Sequence, residues 1–218
     1  MKRGNYFTPE SIRQKSREML EGISILRARH DLTLTPRCSA LLIIDMQRYF
    51  LDDSSHACIP AAKAIVPRIA RLTQAYFEDG LPIVFTRHLN SDADAEMMSR
   101  WWGDLIREDD PASEIIPELD TCRGVVIEKS QYDAFHKTPL EEMLRQKGVT
   151  QVVICGVMTH LCCETTARSA FMRGFEVYFA IDGTATHTEA FHRATLLNLA
   201  HGFAIPVLTD EILAIFRG

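Results

Sequence analysis

The sequence predicts a three-layer, doubly wound α/β domain, with a six-stranded parallel sheet between helices on both faces. Three observations carry that prediction. Short apolar runs alternate with helix-like stretches along most of the chain, the order that builds βαβ units. The runs are continuously apolar, as in "SALLIIDMQ" and "VVICG", where a half-exposed strand would alternate with polar residues. Such strands are buried on both faces, as in a parallel sheet. At 218 residues, 46% of them hydrophobic, the chain has the size of one such domain and ample material for one core.

The elements follow in order. Residues 1–35 read as a helical extension. Thr8-Pro9-Glu10 offers an N-cap with proline at the first helical position, and Ile12, Met19, Ile23 and Leu26 recur near helical spacing. Residues 36–218 form the main domain. Its first strand, 40–45, ends in Asp45, and a helix over 60–79 is closed by Gly80. "PIVFTRH" is the second strand and "GVVIEKS" the third. Between them, the acidic segment 88–122 with its Trp101-Trp102-Gly103 interrupts the alternation. Loops this long in a compact domain are usually functional or disordered. "TPLEEMLRQKG" is a helix with a glycine stop. A strand over 151–155 leads through Gly156 into the Cys162–Cys163 doublet and a helix to about 173. "FEVYFAID", a helix over 188–201, "FAIPVLT" and a last helix complete the chain.

Composition excludes several classes. The net charge of −5 and the lack of a long basic run argue against nucleic acid or anionic membrane as partner. No apolar run approaches the ~20 residues of a membrane span. The charged N-terminus has no apolar core of a signal peptide, which points to the cytoplasm. Six cysteines without a C-x-x-C pair read as reduced thiols, most of them packing residues.

Ligand sites of doubly wound sheets lie beyond the carboxyl ends of the strands. Asp45, Lys129 and Cys162 follow three different strands and so belong to one edge of the sheet. Together they offer a proton acceptor, a positive charge that favours thiolate, and a nucleophile at a helix start. Each residue also has a plainer reading. A strand-end Asp can cap a turn, a strand-end Lys can be solvated, and a Cys near a helix can be a small hydrophobe. Their convergence is what suggests chemistry.

Three blocks, "ALLIIDMQRYF", "VIEKSQYDAFHKTPLEEML" and "VICGVMTHLCCETTARSAFMRGFEVYFAIDGTAT", resemble the signature blocks of the isochorismatase-like hydrolases, in the same order. The resemblance implies a Rossmann-like sheet of order 3-2-1-4-5-6 and a catalytic triad of Asp45, Lys129 and Cys162. Cys163 is then a packing residue. It also implies a non-proline cis peptide between Val157 and Met158, with the N–H groups of Met158 and Cys162 facing an oxyanion. Members that split isochorismate resemble this chain in "DMQRYF" and "GVMTH" but carry a small residue at the Cys162 position. Retention of Cys162 therefore points to the amidohydrolase branch, which acts on C–N bonds of small amide, ureido or carbamoyl compounds. The alternative is vinyl ether hydrolysis with Asp45 as general acid. Gln47, Phe50, Tyr132, Arg87, His88 and His160 are pocket candidates, with core packing the plain reading of Phe50. Arg87 would meet a substrate carboxylate, and Trp101 and Trp102 would form a lid or a subunit contact. His187, His192 and His201 are expected to face solvent. Asp52, Asp53, His56 and His88 lack the closely spaced ligand pattern of metal-binding relatives, so no metal and no cofactor are expected. The partners implied are a small-molecule substrate and further copies of the chain, as a dimer or tetramer.

Overall fold

The structure is a computed structural model that describes residues 4–217. Six strands form one parallel sheet: β1 (Ser39–Ile44), β2 (Ile83–His88), β3 (Val125–Lys129), β4 (Gln151–Val157), β5 (Glu176–Ala185) and β6 (Ile205–Val207). Their order is β3-β2-β1-β4-β5-β6, as expected. Every residue of β1 and β4 is buried, which is why these two central strands are apolar without interruption. β3 is an edge strand and exposes Val125, Val126 and Glu128.

The chain steps outward from β1 to β3, returns to β4 beside β1, and then steps the other way. Right-handed crossovers consequently place helices on both faces. The single turn α3 (Arg48–Leu51) and helix α4 (Val66–Glu78) join β1 to β2, and α4 packs with α9 (Thr209–Ile215). Helices α6 (Leu140–Gln146), α7 (Glu164–Met172) and α8 (Glu189–Gly202) follow β3, β4 and β5, and α7 packs on α8. Between β2 and β3 lies α5 (Met97–Trp102), inside the long acidic segment.

The N-terminal extension forms α1 (Ile12–Gly22) and the single turn α2 (Ser24–Arg27). Regular helix begins after Ser11, which makes no side-chain cap bond of its own; Thr8 Oγ1 accepts from the Ser11 amide and Ser11 Oγ accepts from the Thr8 amide, closing the turn that leads into the helix. Ile12, Met19 and Ile23 are buried in the common core, and α1 lies against β5. The extension therefore uses its apolar face on its own sheet. Among the described residues, no helix is long and apolar enough to cross a membrane.

Candidate active site

β1 and β4 are neighbours from which the chain departs in opposite directions, so a crevice opens beyond their carboxyl ends. Asp45 directly follows β1 with a left-handed backbone, φ 49°, a conformation that Asp tolerates better than most side chains. Thr86 on β2 braces it twice. The Asp45 amide donates to Thr86 Oγ1 at 3.0 Å, and the threonine hydroxyl donates to Asp45 Oδ1 at 2.6 Å.

Lys129 closes β3, two strands away from β1. The long lysine side chain spans that separation. Its stem passes the end of β2, and Nζ reaches Asp45 Oδ2 at 2.7 Å with both side chains fully buried. The ammonium also approaches His88 Nδ1 at 3.2 Å, the Gln131 carbonyl at 2.9 Å and Cys162 Sγ at 3.5 Å. His88 accepts from the ammonium through Nδ1, so its proton sits on Nε2, facing Asn90 Oδ1 at 2.9 Å. Burial and the Lys129 charge push the His88 imidazolium down to about 4, and the ring is neutral.

The third group arrives from β4. Gly156 has φ 114°, and a Cβ there would lie 2.1 Å from the Ile44 carbonyl oxygen, so only glycine lets β4 run this close to β1. The peptide bond between Val157 and Met158 is cis. A π-helical turn, Thr159–Cys163, then carries Cys162 to the crevice and leads into α7. Cys163 is fully buried in the core.

Burial disfavours charge on all three groups, but their mutual contacts decide the outcome. Burial alone would raise Asp45; the Lys129 charge, with the Cys162 S–H, holds it below the usual carboxylate range. Lys129 loses stability as an ammonium through burial and regains more from Asp45, so it stays charged. Burial pushes the Cys162 thiol up, although Lys129 pulls the other way. The resting trio is thus carboxylate, ammonium and neutral thiol, with the thiol hydrogen-bonded to the acid.

A cavity of about 190 Å³ opens onto Cys162, Met158 and His88. Of the pocket candidates, Phe50, Tyr132 and Trp102 also line it. Trp102 Nε1 donates to Tyr132 Oη at 2.7 Å and closes one side. Gln47, Arg87, Trp101 and His160 are not among the lining residues. Gln47 is a buried strut that donates to the carbonyls of His88 and Ser113 and accepts from the His88 amide. Arg87 is committed to the acidic segment, bonding Ser113, the Glu108 carbonyl and Glu114, so its guanidinium meets no pocket. Trp101 is 73% exposed. His160 stacks on Phe191 and bonds Thr186 Oγ1 at 2.6 Å.

Several lining residues escaped sequence reasoning. The acidic segment contributes Asn90, Met98, Asp104 and Ile106, and Asp104 Oδ2 meets both the Tyr49 hydroxyl at 2.8 Å and His56 Nε2 at 3.2 Å. His187, expected in solvent, lines the cavity, and His192 is fully buried beneath it. Thr86 could have been found, because it lies two residues before the candidate His88, residues two apart on a strand share a face, and their strand neighbours the one that ends at Asp45.

Metal binding fits this arrangement poorly. Among the described residues, the one group of three ligand-type side chains within 4.8 Å of one another is Asp45, His88 and Cys162. The Lys129 ammonium already sits among these atoms, and a second cation there would meet its charge at close range. Asp53 pairs instead with Lys63, and His56 with Asp104.

An acid, a lysine and a thiol at the switch point of a parallel sheet, facing an apolar cavity, define an enzyme on a doubly wound α/β frame. The chain belongs to the isochorismatase family of hydrolases, whose domain model, "Isochorismatase domain", matches residues 39–211. It is 42% identical over 181 residues to Nicotinamidase 3 of Arabidopsis thaliana, covering 81% of this chain and 87% of that protein. It is 31% identical over 196 residues to Enterobactin synthase component B of Escherichia coli (strain K12), covering 88% and 68%. Among solved structures, the pyrazinamidase of Pyrococcus horikoshii in complex with zinc superposes with a TM-score of 0.70 at 28% identity, over 78% of this chain and 99% of that one.

Proposed function

We propose that the protein is a cysteine amidohydrolase that cleaves the C–N bond of a small, uncharged amide, ureido or carbamoyl compound through a thioester. One observation supports this most: among the described residues, the cavity above Cys162 is lined by aromatic and other uncharged side chains, histidines and Asp104, with neither arginine nor lysine. Isochorismate carries two carboxylates, which would find no countercharge there, because Lys129 is already paired with Asp45. An uncharged carboxamide such as the nicotinamide named in the Arabidopsis relative has no such conflict.

In the proposed cycle, Cys162 Sγ attacks the carbonyl carbon while its proton passes to Asp45. The raised thiol and lowered carboxyl make a free thiolate unfavourable, so proton transfer accompanies formation of the C–S bond. The N–H groups of Met158 and Cys162 receive the oxyanion, and Lys129 holds Asp45 in place. Asp45 then returns the proton to the departing nitrogen, which leaves as ammonia or amine. Water, deprotonated by Asp45, cleaves the thioester and yields the carboxylic or carbamic acid and the free thiol. No step passes through a metal, and a chelator should leave the rate unchanged.

The test is ammonia release from a panel of small amides, including nicotinamide, by the wild type and Cys162→Ala. The variant should fold normally and lose on the order of 10⁴-fold or more in turnover. Pyruvate release from isochorismate that survives Cys162→Ala would replace this reading with acid catalysis by Asp45. The exposed Phe171, Met172 and Leu197 on α7 and α8 support self-association, which light scattering would measure directly.

A further inference from the structure

The segment Gly4–Phe7 precedes α1 and lies outside the matched domain. Tyr6 and Phe7 are nonetheless buried. Tyr6 packs against Phe7 and edge-on to His192, which Phe7 also meets edge-on. The polar contacts of this segment point in one direction. The Gly4 amide donates to the His187 carbonyl at 2.9 Å, and the Tyr6 hydroxyl accepts from the Thr186 amide at 3.1 Å. The same hydroxyl lies 2.8 Å from His192 Nδ1 and donates to it, since burial keeps this histidine neutral and the phenol protonated. His192 Nδ1 is also 3.5 Å from Thr159 Oγ1.

Those contacts join two pieces of cavity wall. Thr186 and His187 follow β5, and His187 lines the cavity. Thr159 opens the π-helical turn that ends at the Cys162–Cys163 pair. A phenylalanine at position 6 would fill the same volume. The hydroxyl adds directional bonds, and buried directional bonds select one backbone arrangement where apolar packing accepts several.

We propose that Gly4–Phe7 is a working part of the active site, in which Tyr6 is a positioning residue that holds the His187 wall against the turn carrying Cys162. The proposal rests on the amidohydrolase reading for its kinetic test, but it can be examined without it. Tyr6→Phe keeps the ring and removes the bonds. In that variant KM for the amide should rise about threefold to tenfold, the range one lost neutral hydrogen bond allows, while kcat stays within about twofold. The second readout is alkylation of Cys162 by iodoacetamide, followed by mass spectrometry in the free enzyme. A loosened wall should speed it at least about threefold, by the same loss of one bond.

Gly4→Pro removes the amide that donates to His187 while leaving the Tyr6 bonds in place; it should move both readouts in the same direction, and it serves if Tyr6→Phe does not fold. Lys15→Ala breaks the 2.6 Å pair with Glu189 between α1 and α8, lowering stability without touching the wall, and should leave KM and alkylation unchanged. A folded Tyr6→Phe with wild-type KM and alkylation rate would overturn the proposal, leaving the segment a packing role only. If the wild type hydrolyses no amide, the amidohydrolase reading fails alone, and the alkylation rates still decide this inference.

Discussion

The acid–lysine–thiol floor and the wall built by residues 88–122 meet in one cavity and are constructed in opposite ways. The floor stands on strand ends. Asp45, Thr86, Lys129 and Cys162 are all buried, and each is bonded to another member. The wall is a loop with one short helix, tied down by exposed or half-exposed pairs such as Trp102–Tyr132, Tyr49–Asp104 and Arg107–Asp92. Buried charge networks respond steeply to the loss of one partner, whereas surface pairs contribute little each. The floor should therefore govern chemistry and stability together, and the wall should govern selectivity with little effect on stability.

Asp45→Asn is the strongest way to break that division. It removes the proton acceptor and leaves the Lys129 ammonium buried without its countercharge. Turnover should fall about 10³–10⁴-fold, the range for loss of a positioned acid–base group, and stability by about 3–5 kcal/mol, the cost of orphaning a buried charge. Adding Lys129→Met should restore most of the stability and none of the turnover. Recovery of both, in denaturation and rate measurements on the double variant, would show that the pair is structural only.

pH sharpens the comparison next. His88 titrates near 6.5 in the unfolded chain and at about 4 in the folded one. The unfolded chain binds this proton first as pH falls, so stability is full above 6.5 and declines between 6.5 and 4. At pH 4.5 the loss from this one group is about 2–3 kcal/mol by linkage. His192, pushed down to about 3 by burial, acts with the same sign. His88→Gln keeps an acceptor for Lys129 and does not titrate, so its stability should fall less between pH 7 and 4.5. Equal losses in urea titrations of the two proteins would place the acid sensitivity elsewhere.

The same contrast explains what could be read from sequence. Asp45, Lys129 and Cys162 are legible because each follows an apolar run, and parallel strands bring their carboxyl ends to one edge whatever the loops do. The short distance from Lys129 to Asp45 was not legible. It depends on a side chain passing the end of β2, which strand spacing alone does not describe. The wall was legible only as an anomaly of length and composition. Arg87 illustrates the difficulty, since its bidentate fork suits a substrate carboxylate and an internal acidic segment equally well, and the nearby Glu114 is what it meets. His187 and His192 are read from sequence as solvent-facing because helical periodicity around α8 does not register contacts from Gly4 and Tyr6, some 180 residues away.

The adjacent tryptophans offer the finest test. Trp102 lines the cavity and donates to Tyr132, whereas Trp101 is largely exposed and turned away from it. If selectivity resides in the wall, Trp102→Ala should raise KM about tenfold, as expected for losing one aromatic contact with its hydrogen bond. Trp102→Phe, which removes only the N–H, should raise it by about threefold at most. Trp101→Ala should change KM by less than about twofold, because an exposed side chain away from special contacts contributes within ~0.5 kcal/mol. The two residues share a helix, a loop and nearly the same chemistry, so position relative to the cavity is the main variable between them. Equal effects of the two alanine variants on KM would mean that α5 acts as a whole by covering the cavity, and that no single side chain of it reads the substrate.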